Sequence, residues 1–213
     1  MVITIGREFG SGGKYIGEQL AKDLNLKFYD KEILQRLSKE ENIDIKRLEE
    51  TDESNKNSFW YTLAAASVPF DNANNFTDLP MIDQYFVETS RLIEKIAKED
   101  NSVIIGRCSN VILRDCPNAI HVFVYASDEK FKIERKIEFA GMDEKKAIRT
   151  MQRKDKERAA YHHYYTNEKW GGRKGYDILL DTSKLGVNGT IALLKEYVQI
   201  KQEENRKKKS NKK

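Results

Sequence analysis

The chain has 213 residues, of which 39% are hydrophobic, 10% aromatic and 34% charged. That suffices for one domain with insertions and a real core, and it excludes wholesale disorder. The net charge of +4 is carried by the last segment: residues 201–213 hold seven Lys/Arg against two Glu, so the preceding 200 residues are close to neutral. A body without a basic balance argues against specific nucleic-acid binding, which depends on neutralising phosphates.

No apolar run approaches the roughly 18 residues that a membrane-crossing helix needs. The opening Met1-Val2-Ile3-Thr4-Ile5-Gly6 lacks the basic region of a secretion signal. The expectation is a cytoplasmic protein with no membrane partner. Two cysteines, Cys108 and Cys116, have no histidine near them in sequence. They read as reduced structural thiols rather than a metal site.

Taken in order, residues 2–5 predict a short buried strand. Residues 6–13 (Gly-Arg-Glu-Phe-Gly-Ser-Gly-Gly) form a glycine-rich turn. Ile16, Leu20 and Leu24, with Ala21, recur at helical spacing. Leu26–Tyr29 predicts a second strand, and Asp30 is placed to cap a helix carrying Ile33, Leu34 and Leu37. Residues 40–80 turn polar, with an aromatic island at Phe59-Trp60-Tyr61, and predict a helical insertion over about 38–80. A long helix follows with Ile82, Tyr85, Phe86, Thr89, Ile93 and Ile96 on one side.

Further strands are predicted over 102–105, 120–125 and 177–181. Ser127 and Asp128 can cap a helix bearing Phe131, Arg135 and Ile137. Residues 143–165 are charged and helical without a clear apolar stripe. A last helix uses Val187, Ile191, Leu194 and Val198. The lysine-rich end at 201–213 predicts a basic, disordered tail. Strands alternating with helices imply a parallel sheet covered on both faces. Ligands of such sheets bind at the carboxyl ends of the strands, where Gly6, Asp30, Gly106-Arg107 and Ser127 fall.

The chemistry centres on Gly10-Ser11-Gly12-Gly13-Lys14, between strand and helix. Glycines allow backbone amides to turn toward phosphate oxygens, and the helix start adds partial positive charge. This context matches a phosphate-binding P-loop, with Lys14 as the cation. The spelling departs from G-x-x-x-x-G-K-[ST]: Glu8 stands where the first glycine is expected, and Tyr15 where the metal-binding hydroxyl is expected. Either the loop is one residue longer, or Gly13 replaces the lysine and Lys14 acts from the next position. Ser11 is the hydroxyl available to Mg2+. His162-His163 point in different directions on a helix, so they read as packing rather than a two-ligand site. Trp170 reads as an anchor for the end of the charged segment.

Three stretches resemble the cytidylate kinase-like family of P-loop kinases: Gly6 through Gly17, Ile104-Ile105-Gly106-Arg107 through Asp115, and Tyr176-Asp177 with Asp181 through Gly186. The resemblance spans about residues 2–200. It implies an α/β fold of the P-loop NTPase type, three-layered, with a helical insertion that binds a nucleoside monophosphate and a lid over about 140–172. It also implies ATP and Mg2+, with Gly10, Ser11, Gly12, Gly13, Lys14 and Tyr15 around the ATP phosphates.

For the acceptor, the resemblance points to Asp30 and Arg36, to Arg107 after the third strand, and to Asp155 and Arg158 in the lid. Arg149, Arg153 and Lys154 are the lid cations that it directs to donor phosphates. Lys14, Arg107, Arg153 and Arg158 would carry the transfer. Two positions depart from true cytidylate kinases: Lys31 follows Asp30 where a serine is usual, and Ile105 precedes Gly106 where an aspartate is frequent. The expected activity is ATP-dependent phosphorylation of CMP or dCMP. The rivals are a P-loop kinase for another small acceptor and a non-catalytic nucleotide sensor.

Overall fold

The computed structural model describes residues 1–30 and 81–210. It divides into two compact units, Met1–Tyr29 with Glu99–Lys213, and Asp30–Lys98. The expected insertion over 38–80, Arg36 and the Phe59-Trp60-Tyr61 island lie outside the described residues. In the second unit the described part is Asp30 and most of helix α2, Met81–Glu99, which buries Leu92, Ile93 and Ile96.

The first unit is built on five parallel strands: β1 (Val2–Arg7), β2 (Lys27–Tyr29), β3 (Ser102–Ile105), β4 (Ala119–Tyr125) and β5 (Ile178–Asp181). Their order is β2-β3-β1-β4-β5, so β1 is central, with Ile5 opposite both Ile105 and Val122. The chain leaves β1 toward one edge and returns to cross to the other. The carboxyl end of β1 is therefore the switch point where doubly wound sheets bind ligands.

Strand alternation divides the core. Ile3, Ile5, Val103, Ile105, Ile120, Val122 and Val124 face the helix α1 (Gly13–Asp23) and the helix α6 (Thr182–Ser210), meeting Ile16, Leu20, Leu194 and Val198. Each fully buried Ile or Leu contributes about 1.5–3 kcal/mol. On the other face Thr4 bonds the His121 ring at 2.8 Å. Phe123 there receives the edge of Trp170 at 5.2 Å and the ring of Tyr176 at 5.0 Å. Trp170 thus anchors the end of the charged segment, as its sequence context suggests.

Three further helices complete the unit: α3 (Ser109–Ile112), α4 (Glu129–Ala140) and α5 (Glu144–Thr166). Asp128 caps α4 through Lys130 N, and Asp143 caps α5 through Lys146 N. His162 is buried on α5 with Nδ1 3.1 Å from Thr166 Oγ1, whereas His163 is exposed.

The basic end differs from expectation. Helix α6, broken at Gly186 (φ 67°), continues through Ser210. Lys, Gln, Glu and Arg are good helix formers, and Lys207 pairs with Glu204 at 2.8 Å one turn back. An existing helix extends into such a segment at little cost.

Candidate functional site

The glycine turn spans the gap between β1, which ends at Arg7, and α1, which begins at Gly13. Gly10 (φ 87°) and Gly12 (φ 85°) both occupy the left-handed region that side chains disfavour. Gly12 stands at the N-cap, and no side chain caps α1. The helix start thus takes no capping bond from Gly12, and its positive dipole end faces the glycine turn. Ser11 is fully buried and its hydroxyl donates to Glu8 O at 2.9 Å.

Charged side chains from two helices, α4 and α5, converge on this loop and its Glu8. Glu8 Oε2 accepts from Ala126 N at 3.2 Å and from Lys132 Nζ at 3.1 Å. The Lys132 backbone packs so closely on Gly10 that a Cβ there would lie 3.0 Å from its carbonyl oxygen. A Cβ at Gly12 would lie 3.3 Å from the Arg135 guanidinium. The Phe9 ring carries Lys136 Nζ at 4.4 Å from its centroid and the Arg158 guanidinium at 5.9 Å. From α5, Asp155 Oδ1 accepts from Phe9 N at 2.7 Å, and Arg158 Nη1 donates to Arg7 O at 3.0 Å. Burial lifts the Asp155 carboxyl to about 6, against the pull of the Phe9 amide and Arg158.

Arg107 lies on a second loop, after β3. Gly106 (φ 70°), Arg107 (φ 56°) and Cys108 (φ 56°) are three consecutive left-handed residues after β3. Each non-glycine residue in that conformation costs about 1–2 kcal/mol. Such strain concentrates at functional positions. Cys108 is buried, its thiol pushed up to about 12 by burial although Arg107 works the other way. It is an inert structural thiol, as read from sequence.

The other expected residues distribute as follows. Lys14 sits half-exposed on α1, its Nζ 3.7 Å from Glu18, and Tyr15 is exposed. On α5, Arg149 is exposed, Arg153 pairs with Glu157 at 2.8 Å, and Lys154 pairs with the same Glu157 at 3.2 Å. Asp30 follows β2 and belongs to the second unit. The structure therefore brings Gly10, Ser11, Gly12, Gly13, Asp155 and Arg158 together. Ser11 is buried and spends its hydroxyl proton on Glu8 O. Among the described residues no group of three or more His, Cys, Asp or Glu is arranged to hold a metal.

Residues 2–184 match the cytidylate kinase-like family. The chain belongs to that family. An uncharacterized protein from Eubacterium ventriosum ATCC 27560 shares the fold with a TM-score of 0.68 and 29% identity, over 93% of this chain and 98% of that one. Shikimate kinase from Bacteroides thetaiotaomicron gives a TM-score of 0.52 at 12% identity, over 93% and 98%. The YorR protein of Bacillus subtilis, in complex with phosphorylated GDP, gives 0.50 at 12%, over 95% and 98%. The last two likenesses concern the fold alone. None of the curated proteins matches the chain.

Within this P-loop kinase family, sequence reasoning did not single out Arg7, Lys132 and Arg135 as members of the site. The partners of Lys132 and Arg135 lie more than a hundred residues away, which no local pattern reveals. Arg7-Glu8, a charged pair directly after a buried strand, was the one available signal.

Proposed function

We propose that the chain transfers the γ-phosphoryl group of ATP to a nucleoside monophosphate, with CMP or dCMP as the acceptor. The observation that carries this reading is the uncapped start of α1 behind Gly10–Gly13, at the switch point of the sheet and ringed by cations. Phosphoryl transfer consists mostly of positioning and charge neutralisation, and this arrangement supplies both.

In this reading the backbone of residues 8–14 holds the ATP phosphates, with Lys14 and Tyr15 at the start of α1. Arg149 and Arg153 serve the donor from α5. Arg107, Asp155 and Arg158 serve the acceptor, and the resemblance assigns Asp30 and Arg36 to the same role. Arginine suits these roles because its planar fork grips phosphate oxygens in pairs. Mg2+ would arrive chelated by the ATP phosphates and water, where it neutralises charge.

The test is ADP release from Mg-ATP with CMP, dCMP, UMP, AMP, GMP or no acceptor. Arg107→Ala should lower kcat/KM for CMP by about 100-fold or more. The departures at Gly13 and Tyr15 favour one second reading, a nucleotide sensor. Mg-ATP binding without turnover on any acceptor would select it.

A further inference from the structure

The P-loop pattern puts a lysine directly after the last loop glycine, where its ammonium reaches the β/γ-phosphates. Here Gly12 is the capping glycine and Gly13 the first helical residue, so the lysine position holds a glycine. The structure shows what uses that space. An ideal Cβ on Gly13 would lie 2.5 Å from Arg7 Cβ and 3.0 Å from Arg7 Cγ. The stem of Arg7 thus runs across Gly13, over the ground a lysine side chain would leave from.

The far end of Arg7 is equally constrained. A Cβ on Gly106 would collide with Arg7 Nη1. Gly106 opens the left-handed turn that carries Arg107. The guanidinium therefore lies against Gly106, at the carboxyl ends of the adjacent strands β1 and β3, while the stem lies against the glycine loop at Gly13. The main chain of Arg7 is fixed as well, because its carbonyl accepts from Arg158 Nη1. Gly13 and Gly106 leave room for this side chain, and Arg158 fixes the backbone it springs from.

We infer that Arg7 is the phosphate-binding cation of the loop, taking from the end of β1 the role that a lysine at position 13 would otherwise fill. The inference rests on the proposed kinase reading. It also explains why the lysine stands one position beyond its place in the pattern. Gly13 is required because Arg7 needs its space, and Lys14 is left to pair with Glu18 on the helix surface. A guanidinium here grips two phosphate oxygens at once, where an ammonium acts as a point charge.

The experiment measures Mg-ATP binding by calorimetry and ADP release with CMP for wild type, Arg7→Gln, Arg7→Gly, and Arg7→Gly combined with Gly13→Lys. Gln keeps most of the stem and removes the charge. Gly removes the Cβ that excludes a lysine at 13. Circular dichroism checks that each variant is folded. Arg7→Gln should weaken Mg-ATP binding at least 30-fold and lower kcat/KM at least 100-fold. Restoring a lysine in the double variant should recover at least 10-fold over Arg7→Gly. Folded Arg7→Gln that binds and turns over within threefold of wild type would overturn the inference and leave the kinase reading standing. Wild type that binds no Mg-ATP would overturn both.

Discussion

Phe9 N donates to Asp155 Oδ1 at 2.7 Å, across 146 residues of sequence. This bond joins the glycine loop to helix α5 and places a carboxylate where the loop's amides point. Arg158, one turn further along α5, adds a second tie through Arg7 O and stands 3.5 Å from Asp155. Helix α5 is therefore registered on the loop by backbone as well as by charge.

Asp155 gives this contact a pH dependence. Burial raises its carboxyl from the ordinary 3.8 to about 6, so the folded state holds a proton that the unfolded chain has released. A raised carboxyl stabilises the fold fully below its unfolded value, and that contribution is lost as pH rises through the folded value. The loss falls between 3.8 and about 6. Asp155→Asn does not titrate and keeps an oxygen for the Phe9 amide. Its melting temperature relative to wild type should climb between pH 4 and pH 6 and level off above. A gap that stays constant with pH would refute this account.

The Lys132–Glu8 pair makes a separate prediction. Only 10% of the Lys132 side chain and 26% of the Glu8 side chain are exposed. Removing one member of a buried pair strands the other. Lys132→Met should cost about 2 kcal/mol, below the 3–5 of a fully buried pair because Glu8 keeps the Ala126 amide. Glu8→Gln with Lys132→Met should recover at least half of that. Urea denaturation midpoints of the three proteins measure it.

The basic end should be dispensable for chemistry. Its described contacts are peripheral: Gln202 Nε2 approaches Met1 Sδ at 3.1 Å, and Lys201 Nζ lies 3.5 Å from Asp177. Deleting 201–213 should leave kcat with CMP within twofold of wild type and lower the melting temperature by a few degrees. A tenfold fall in kcat would assign this end to the site.

The strands and most helices were legible because each has a local signature. Val2–Ile5, Ser102–Ile105 and Ile120–Tyr125 are apolar runs bounded by glycine, polar residues or loops. Ile16, Leu20 and Leu194, Val198 mark helix faces at four-residue spacing. Asp155 and Arg158 were legible through resemblance, though their bonds to Phe9 and Arg7 were not. Arg7 was illegible as a site residue, since its setting is made by Gly13 and Gly106, on separate elements. The fate of the basic end also escaped composition, because a charged segment continues a helix that packing has already nucleated upstream.

The order of the sheet has a consequence for how the molecule is made. The glycine loop lies within the first fourteen residues, yet β1 pairs only with β3 and β4. Synthesis runs at roughly 5–20 residues per second. Phe9 therefore waits about 7–30 s on the ribosome before Asp155 is even translated, the two being 146 positions apart. Until then the loop has neither strand neighbours nor lid. Such long-range pairing is slow to close. The phosphate-binding loop is among the first parts of the chain to emerge and among the last to acquire its surroundings, so nucleotide affinity should arise only when the domain is nearly complete.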